Sequence, residues 1–83
     1  MIFHVYILYS PAKDKYYEGS CEDMDVRLGQ HNAGRNKSTR YGVPWELKKV
    51  ENYTTRSDAL QRESFIKRMK SRKFIELVIA GER

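Results

Sequence analysis

The segment Ile2 to Ser10 constrains this chain most. It is dense in β-branched and aromatic residues, and it is apolar on both alternating sides. Phe3, Val5, Ile7 and Tyr9 fall on one side, and Ile2, Tyr6 and Leu8 on the other. A strand with one wet face alternates apolar with polar residues, so this one reads as a strand covered on both faces. Its uninterrupted apolar run, Val5 to Tyr9, is far too short to cross a membrane. The start also lacks a signal-peptide pattern, so the expectation is a cytoplasmic protein with no membrane partner. With 83 residues the chain is one domain, residues 1–83, and its core must be thin. The single cysteine, Cys21, excludes a disulfide framework and a cysteine-rich zinc site.

The rest of the chain reads as strand, helix, strand, helix, helix. Pro11-Ala12-Lys13-Asp14 is a turn with proline suited to its second position. Lys15 to Cys21 returns as the second strand of a hairpin and reads as ending at Gly19. Met24 to Asn32 is a helix with Asp23 as its cap, Met24 and Leu28 as its apolar stripe and Gly34 placed to end it. A polar loop runs from Arg35 to Val43, and Pro44 starts an extended run over Trp45 to Tyr53. Thr55 with Asp58 makes a capping-box-like start for a helix from Arg56 to about Lys70. Ser71 caps a last helix carrying Phe74, Leu77 and Val78.

The formal net charge of +5 is unevenly spread. Residues 1–34 carry −2, residues 35–40 carry +3, residues 41–60 balance, and residues 61–83 carry +4. If the mid-chain loop and the C-terminal helices met in space, they would form a patch suited to phosphates. The same charges would also serve as solvated helix faces.

Three groups of residues can carry chemistry. Tyr6 and Tyr17 stand across the hairpin, where they either pack or bring two phenols to one sheet edge. A phenol titrates at about 10 and needs positive charge nearby to act as a base at neutral pH. Arg27 and His31 lie one helical turn apart beside the Met24–Leu28 stripe. They are either an ordinary surface pair or a phosphate-binding guanidinium with a proton-shuttling imidazole. Glu63 falls on the apolar stripe of its helix, close to Ala59 and Ile66. A carboxylate there needs a partner. That partner is either Arg27, as an ion pair, or a divalent metal whose shell water and phosphate would complete. His4 reads as a core-edge histidine, Cys21 as a small buried thiol, and Trp45 as a core anchor.

In this order and at these spacings the residues resemble the GIY-YIG nuclease domain. Within that family the chain looks like small stand-alone members similar to the N-terminal nuclease domain of the bacterial excinuclease. The first hallmark triplet corresponds to Val5-Tyr6-Ile7 and the second to Tyr17-Glu18-Gly19. Arg27-Leu28-x-x-His31-Asn32 matches the family's helix motif, and Pro44-Trp45-Glu46-Leu47 matches the start of the third strand. Ser57-Asp58-Ala59-Leu60-x-Arg62-Glu63 matches the acidic helix, with Ile66-Lys67 and Ser71-Arg72-Lys73 in the tail. The similarity covers residues 1 to about 79.

The resemblance implies an α+β fold, a three-stranded antiparallel sheet flanked by helices in the order β-β-α-β-α-α. It implies a divalent-metal-dependent endonuclease that hydrolyses phosphodiester bonds in DNA, with repair or processing of branched or damaged DNA as the setting. Tyr17 would activate water, Tyr6 would support it by hydrogen bonding, and Arg27 would stabilise the pentacovalent phosphate. His31 would assist proton transfer, and Glu63 would hold one Mg²⁺ or Mn²⁺ ion. Arg35, Lys37, Arg40, Lys67, Lys70 and Arg72 would contact nucleic acid, DNA in preference to RNA. A protein partner would supply specificity. Two departures favour a second reading, a non-catalytic nucleic-acid-binding module on the same fold. Glu18 stands where the second triplet usually has an apolar residue. No asparagine follows Glu63, since Ser64 to Arg83 contains none, so its role is missing or falls to Lys70, Ser71 or Arg72.

Overall fold

The computed structural model describes residues 1–83. Its elements are β1 (Phe3–Ser10), β2 (Lys15–Cys21), α1 (Met24–Asn32), a 3-10 turn (Arg40–Gly42), β3 (Glu46–Tyr53), α2 (Arg56–Met69) and α3 (Arg72–Ile79). The three strands form an antiparallel sheet in the order β2-β1-β3. The doubly apolar strand is therefore the central one, and Val5, Tyr6, Ile7 and Leu8 are all fully buried.

Each face of β1 has its own core. Val5 and Ile7 pack with Ala59 and Ile66 of α2 and with Ile75 and Val78 of α3. Tyr6 and Leu8 pack with Cys21 and Trp45, bordered by Tyr17 and by Met24 and Leu28 of α1. Each such aliphatic side chain contributes about 1.5–3 kcal/mol by leaving water. A sheet with helices on both faces thus follows from one strand that cannot face water. No helix is long and apolar enough to cross a membrane.

The helix ends follow the sequence closely. Asp23, Thr55 and Ser71 accept from the backbone N–H groups of Val26, Asp58 and Phe74, each at 3.1 Å. Gly34 closes α1 at φ +74°, a left-handed conformation that suits glycine, and its N–H donates to the carbonyl of His31. Some boundaries differ from the sequence reading. β2 continues past Gly19 to Cys21, because His4 and Val5 offer it partners down to Cys21 and Ser20. β3 starts at Glu46, since the Trp45 backbone N–H is taken by the Asn32 side chain. α2 stops at Met69 because Lys70 turns left-handed, at φ 48°.

The two basic segments lie mostly over opposite faces of the sheet. α1 and the 35–40 loop follow the Tyr6 face of the sheet, whereas α2 and α3 cover the Val5 face. The single patch that their charges suggested is divided by the sheet, with Lys67 reaching Tyr17 from α2.

Candidate active site

Tyr6 is set by its cross-strand neighbour. It pairs with Gly19 on β2, and a Cβ on Gly19 would lie 2.6 Å from Cζ of the phenol. The glycine of the second triplet leaves the space that the tyrosine of the first one fills. The phenol then reaches Nε2 of His31 at 2.9 Å. His31 is fully buried, and its Nδ1 lies 2.7 Å from Oγ1 of Thr39.

The far end of these hydrogen bonds sets their direction. Thr39 donates its hydroxyl proton to the carbonyl of Asn36, so its oxygen accepts from Nδ1–H of His31. Nε2 is then the acceptor, and Tyr6 is the donor. Burial pushes the Tyr6 phenol well above its ordinary range, with Tyr17 adding to the push and Arg27 opposing it. Burial, then Arg27, pushes His31 down. Both shifts keep the pair neutral, which is the state the hydrogen bonds require.

Tyr17 stands next to these groups on the same sheet face. Its ring meets that of His31 edge-on at 5.3 Å and lies 6.5 Å from that of Tyr6 and 6.3 Å from that of Trp45. Lys67 Nζ lies over it at 5.7 Å from the ring centroid. Trp45 is fixed in turn by Nε1–H donating to the carbonyl of Thr39 at 2.7 Å and by a two-bond clasp with Asn32. Arg27 joins none of the six salt bridges in the chain. It lines two clefts. One, of about 270 Å³, includes Ser20, Cys21, Gln30 and Arg56, and the other includes His31, Arg35 and Lys37.

Tyr6, Tyr17, Arg27 and His31 therefore come together, with Arg35 and Lys37 flanking them. Glu63 lies on α2, the helix that packs on the Val5 face, and Lys67 links its carboxylate to the Tyr17 ring on the edge strand β2. Its ion-pair partner is Lys67, one turn along the same helix at 2.7 Å, and not Arg27. α1 and α2 cover different faces of the sheet, while an i,i+4 pair is always in reach. Glu18 belongs to this side too. Burial pushes its carboxyl up, Lys67 opposes that push, and Glu63 adds to it. This residue therefore sits half-buried beside a lysine rather than facing open water.

The tail residues divide. Arg72 binds Asp14 at 2.6 Å and Glu76 at 3.4 Å, and stacks on Tyr16. Ser71 is spent on its cap. Lys70 is exposed beside Lys15 and Arg72, and Arg40 is exposed on the 3-10 turn. Sequence reasoning missed Thr39, Asn32 as a clasp, and Lys67 as the partner of Glu63. A threonine in a polar loop carries no periodic signal, but the i,i+4 spacing of Glu63 and Lys67 was available.

Residues 2–75 match the family described as the GIY-YIG catalytic domain. A UPF0213 protein of Natronomonas pharaonis is 38% identical over 80 residues, which cover 95% of this chain and 92% of the relative. One from Bacillus cereus is 32% identical over 81 residues, covering 96% and 84%. The solution structure of a UPF0213 protein from Bacillus halodurans superposes with a TM-score of 0.62 at 28% identity, again covering 96% and 84%. By sequence and by fold, the chain belongs to the GIY-YIG family.

Proposed function

We propose that the protein is a divalent-metal-dependent endonuclease that hydrolyses phosphodiester bonds in DNA, acting on branched or damaged strands in repair or processing. The observation that carries this reading is the buried Tyr6–His31–Thr39 relay standing against Tyr17 and Arg27. A fully satisfied buried polar network rigidifies what it touches. Here it holds one phenol neutral and leaves the other as the base.

In this reading Tyr17 takes the proton from the attacking water. Tyr6 and His31 hold the Tyr17 ring in place, and Lys67 adds positive charge over it. Arg27 binds the equatorial oxygens as the phosphorus becomes pentacovalent, a role suited to a planar, permanently charged fork. His31 acts through Tyr6, because both its nitrogens are engaged and it is buried. Arg35 and Lys37 receive a neighbouring backbone phosphate, with Arg40 and Lys70 extending the contact at the surface. Arg72 adds no phosphate contact, being held by Asp14 and Glu76.

Glu63 would hold one Mg²⁺ or Mn²⁺ ion. It fits as a hard oxygen donor whose side chain keeps 18% exposure. No group of three or more His, Cys, Asp or Glu side chains gathers into a metal cage, so water and phosphate would complete the shell, as Mg²⁺ prefers. When bound, the ion would neutralise charge on the leaving oxygen. Specificity would come from a protein partner or from the shape of the DNA.

A second reading, a non-catalytic nucleic-acid-binding module, is favoured by one observation: the Glu63 carboxylate already carries the Lys67 ammonium. Incubation with nicked, flapped and supercoiled DNA plus Mn²⁺ separates the two. The nuclease reading expects cleavage that Tyr17→Phe lowers by roughly 10²–10⁴ and Glu63→Ala abolishes. Retained, metal-independent binding without cleavage establishes the module instead.

A further inference from the structure

Pairs of glutamate and lysine four residues apart are common on wet helix faces, where they contribute little. The Glu63–Lys67 pair is placed differently. Glu63 points inward with 18% side-chain exposure, and the Lys67 ammonium reaches back to it at 2.7 Å. The same ammonium lies 5.7 Å from the Tyr17 ring centroid. It thus stands between the carboxylate on α2 and the tyrosine on β2.

We propose that Lys67 is a further residue of the reaction site. Its ammonium is the resident cation of Glu63, and its move to the phosphate of the substrate strengthens the hold of Glu63 on a divalent metal. The proposal rests on the reading of Glu63 as the metal-holding residue.

Competition between two cations for one carboxylate favours the move. An ammonium at 2.7 Å makes a charge-assisted hydrogen bond with the carboxylate. The second carboxylate oxygen is open to a divalent cation, but an ammonium held on the first one repels that cation at close range. Lysine is a point charge on a flexible four-carbon stem, free to re-aim over several ångströms without moving the backbone. A backbone phosphate arriving at Tyr17 is the anion that the substrate adds, beside Glu18, which already faces the same ammonium. Metal and nucleic acid then bind with positive coupling, and the coupling is reciprocal. The free protein binds metal weakly, and the substrate raises that affinity.

Two measurements test this. In the first, Mn²⁺ is titrated calorimetrically into the DNA-free wild type and into Lys67→Met, Lys67→Arg, Lys70→Met and Glu63→Gln variants, each checked by thermal melting. Lys67→Met is expected to bind Mn²⁺ about fivefold more tightly, in line with the loss of one partly exposed ion pair. Lys67→Arg and Lys70→Met are expected to match the wild type, the latter because a neighbouring charge that does not touch Glu63 has no such effect. Glu63→Gln is expected to lose binding. Wild-type affinity in Lys67→Met, alongside lost binding in Glu63→Gln, overturns the competition and leaves Glu63 as the metal residue. Undiminished binding in Glu63→Gln overturns the metal reading itself. In the second measurement, binding of a short labelled duplex is followed against salt without metal. Lys67→Met is expected to lower the log–log salt slope by about 0.9, one phosphate contact. An unchanged slope overturns the transfer of the ammonium to phosphate.

Discussion

The Tyr6 phenol occupies the space that a side chain on Gly19 would need, and the two residues are registered partners on adjacent strands. The hallmark triplets of the two strands are therefore complementary in shape. Gly19→Ala should destabilise the fold by about 1–3 kcal/mol, the usual cost of overpacking a filled core. It should also displace the phenol from His31. Tyr6→Phe should relieve only part of the clash, because Cζ as well as the hydroxyl is in the way. Urea denaturation of the two single variants and the double variant measures both the cost and its partial recovery.

His31 makes stability depend on pH above the carboxylate range. Its pKa is lowered in the folded state by burial and by Arg27, while in the unfolded chain it is about 6.5. Below that value the unfolded state binds a proton that the folded state refuses, so stability falls as pH falls. The loss cannot exceed about 1.4 kcal/mol per pH unit for one proton. Glu18 works in the opposite direction at lower pH, because burial raises its carboxyl in the folded state. The effect is therefore read as the difference between wild type and His31→Gln from pH 7.5 to 5.5. A wild-type curve parallel to that of the variant would exclude a neutral buried imidazole.

Tyr17→Phe separates chemistry from structure. The ring keeps its contacts with His31, Tyr6 and Trp45, and Lys67 still lies over its face. Melting temperature and duplex binding should hold, while single-turnover cleavage should drop by roughly 10²–10⁴, the usual worth of a positioned proton acceptor. Loss of binding in step with loss of cleavage would make Tyr17 a stacking platform instead.

How far the sequence could be read depends on the range of the interaction. The central strand was legible because its residues are apolar on both sides, which only a strand inside the sheet satisfies. The caps at Asp23, Thr55 and Ser71 were legible because each lies three residues before the N–H it accepts from. The cluster of Tyr6, Tyr17, Arg27 and His31 was visible only through the order of the motifs, since three separate elements carry it. Thr39 was invisible, because it reaches His31 from an irregular loop. Of the two partners open to Glu63 in the sequence, the Arg27 ion pair does not form, for a topological reason: helices α1 and α2 pack on opposite faces of the sheet. The same division separates the two basic segments, which net charge alone could not reveal.

Glu51 and Arg62 tie β3 to α2 through two hydrogen bonds, at 2.9 and 3.1 Å, and Tyr53 donates to the same carboxylate. Burial pushes the Glu51 carboxyl up, but Arg62 and Tyr53 outweigh it and hold it below its ordinary value. Its contribution is thus complete above the unfolded pKa of about 4.3 and is lost as pH falls through the lower folded value. Glu51→Gln should cost about 1.5–3 kcal/mol at pH 7, the range for a hydrogen bond to a charged group. The cost should shrink in acid. A thermal-melting series from pH 7 to 3 on both proteins checks the sign.

The separation of the basic segments gives the last expectation. Arg35 and Lys37 line the cleft beside Arg27 and His31, and neither joins a salt bridge. Arg72 is bound to Asp14 and Glu76 on the other face. Each lost phosphate contact removes about 0.9 from the slope of log affinity against log salt. Replacing Arg35 and Lys37 with alanine should therefore lower the slope for duplex DNA by about 1.8 and weaken binding without regard to sequence. Arg72→Ala should leave the slope unchanged, because its guanidinium is already committed, and should instead lower the melting temperature. Fluorescence anisotropy across a salt series, on the same labelled duplex, distinguishes the two. Equal slopes for both variants would mean that Arg72 releases Asp14 and Glu76 to take a phosphate.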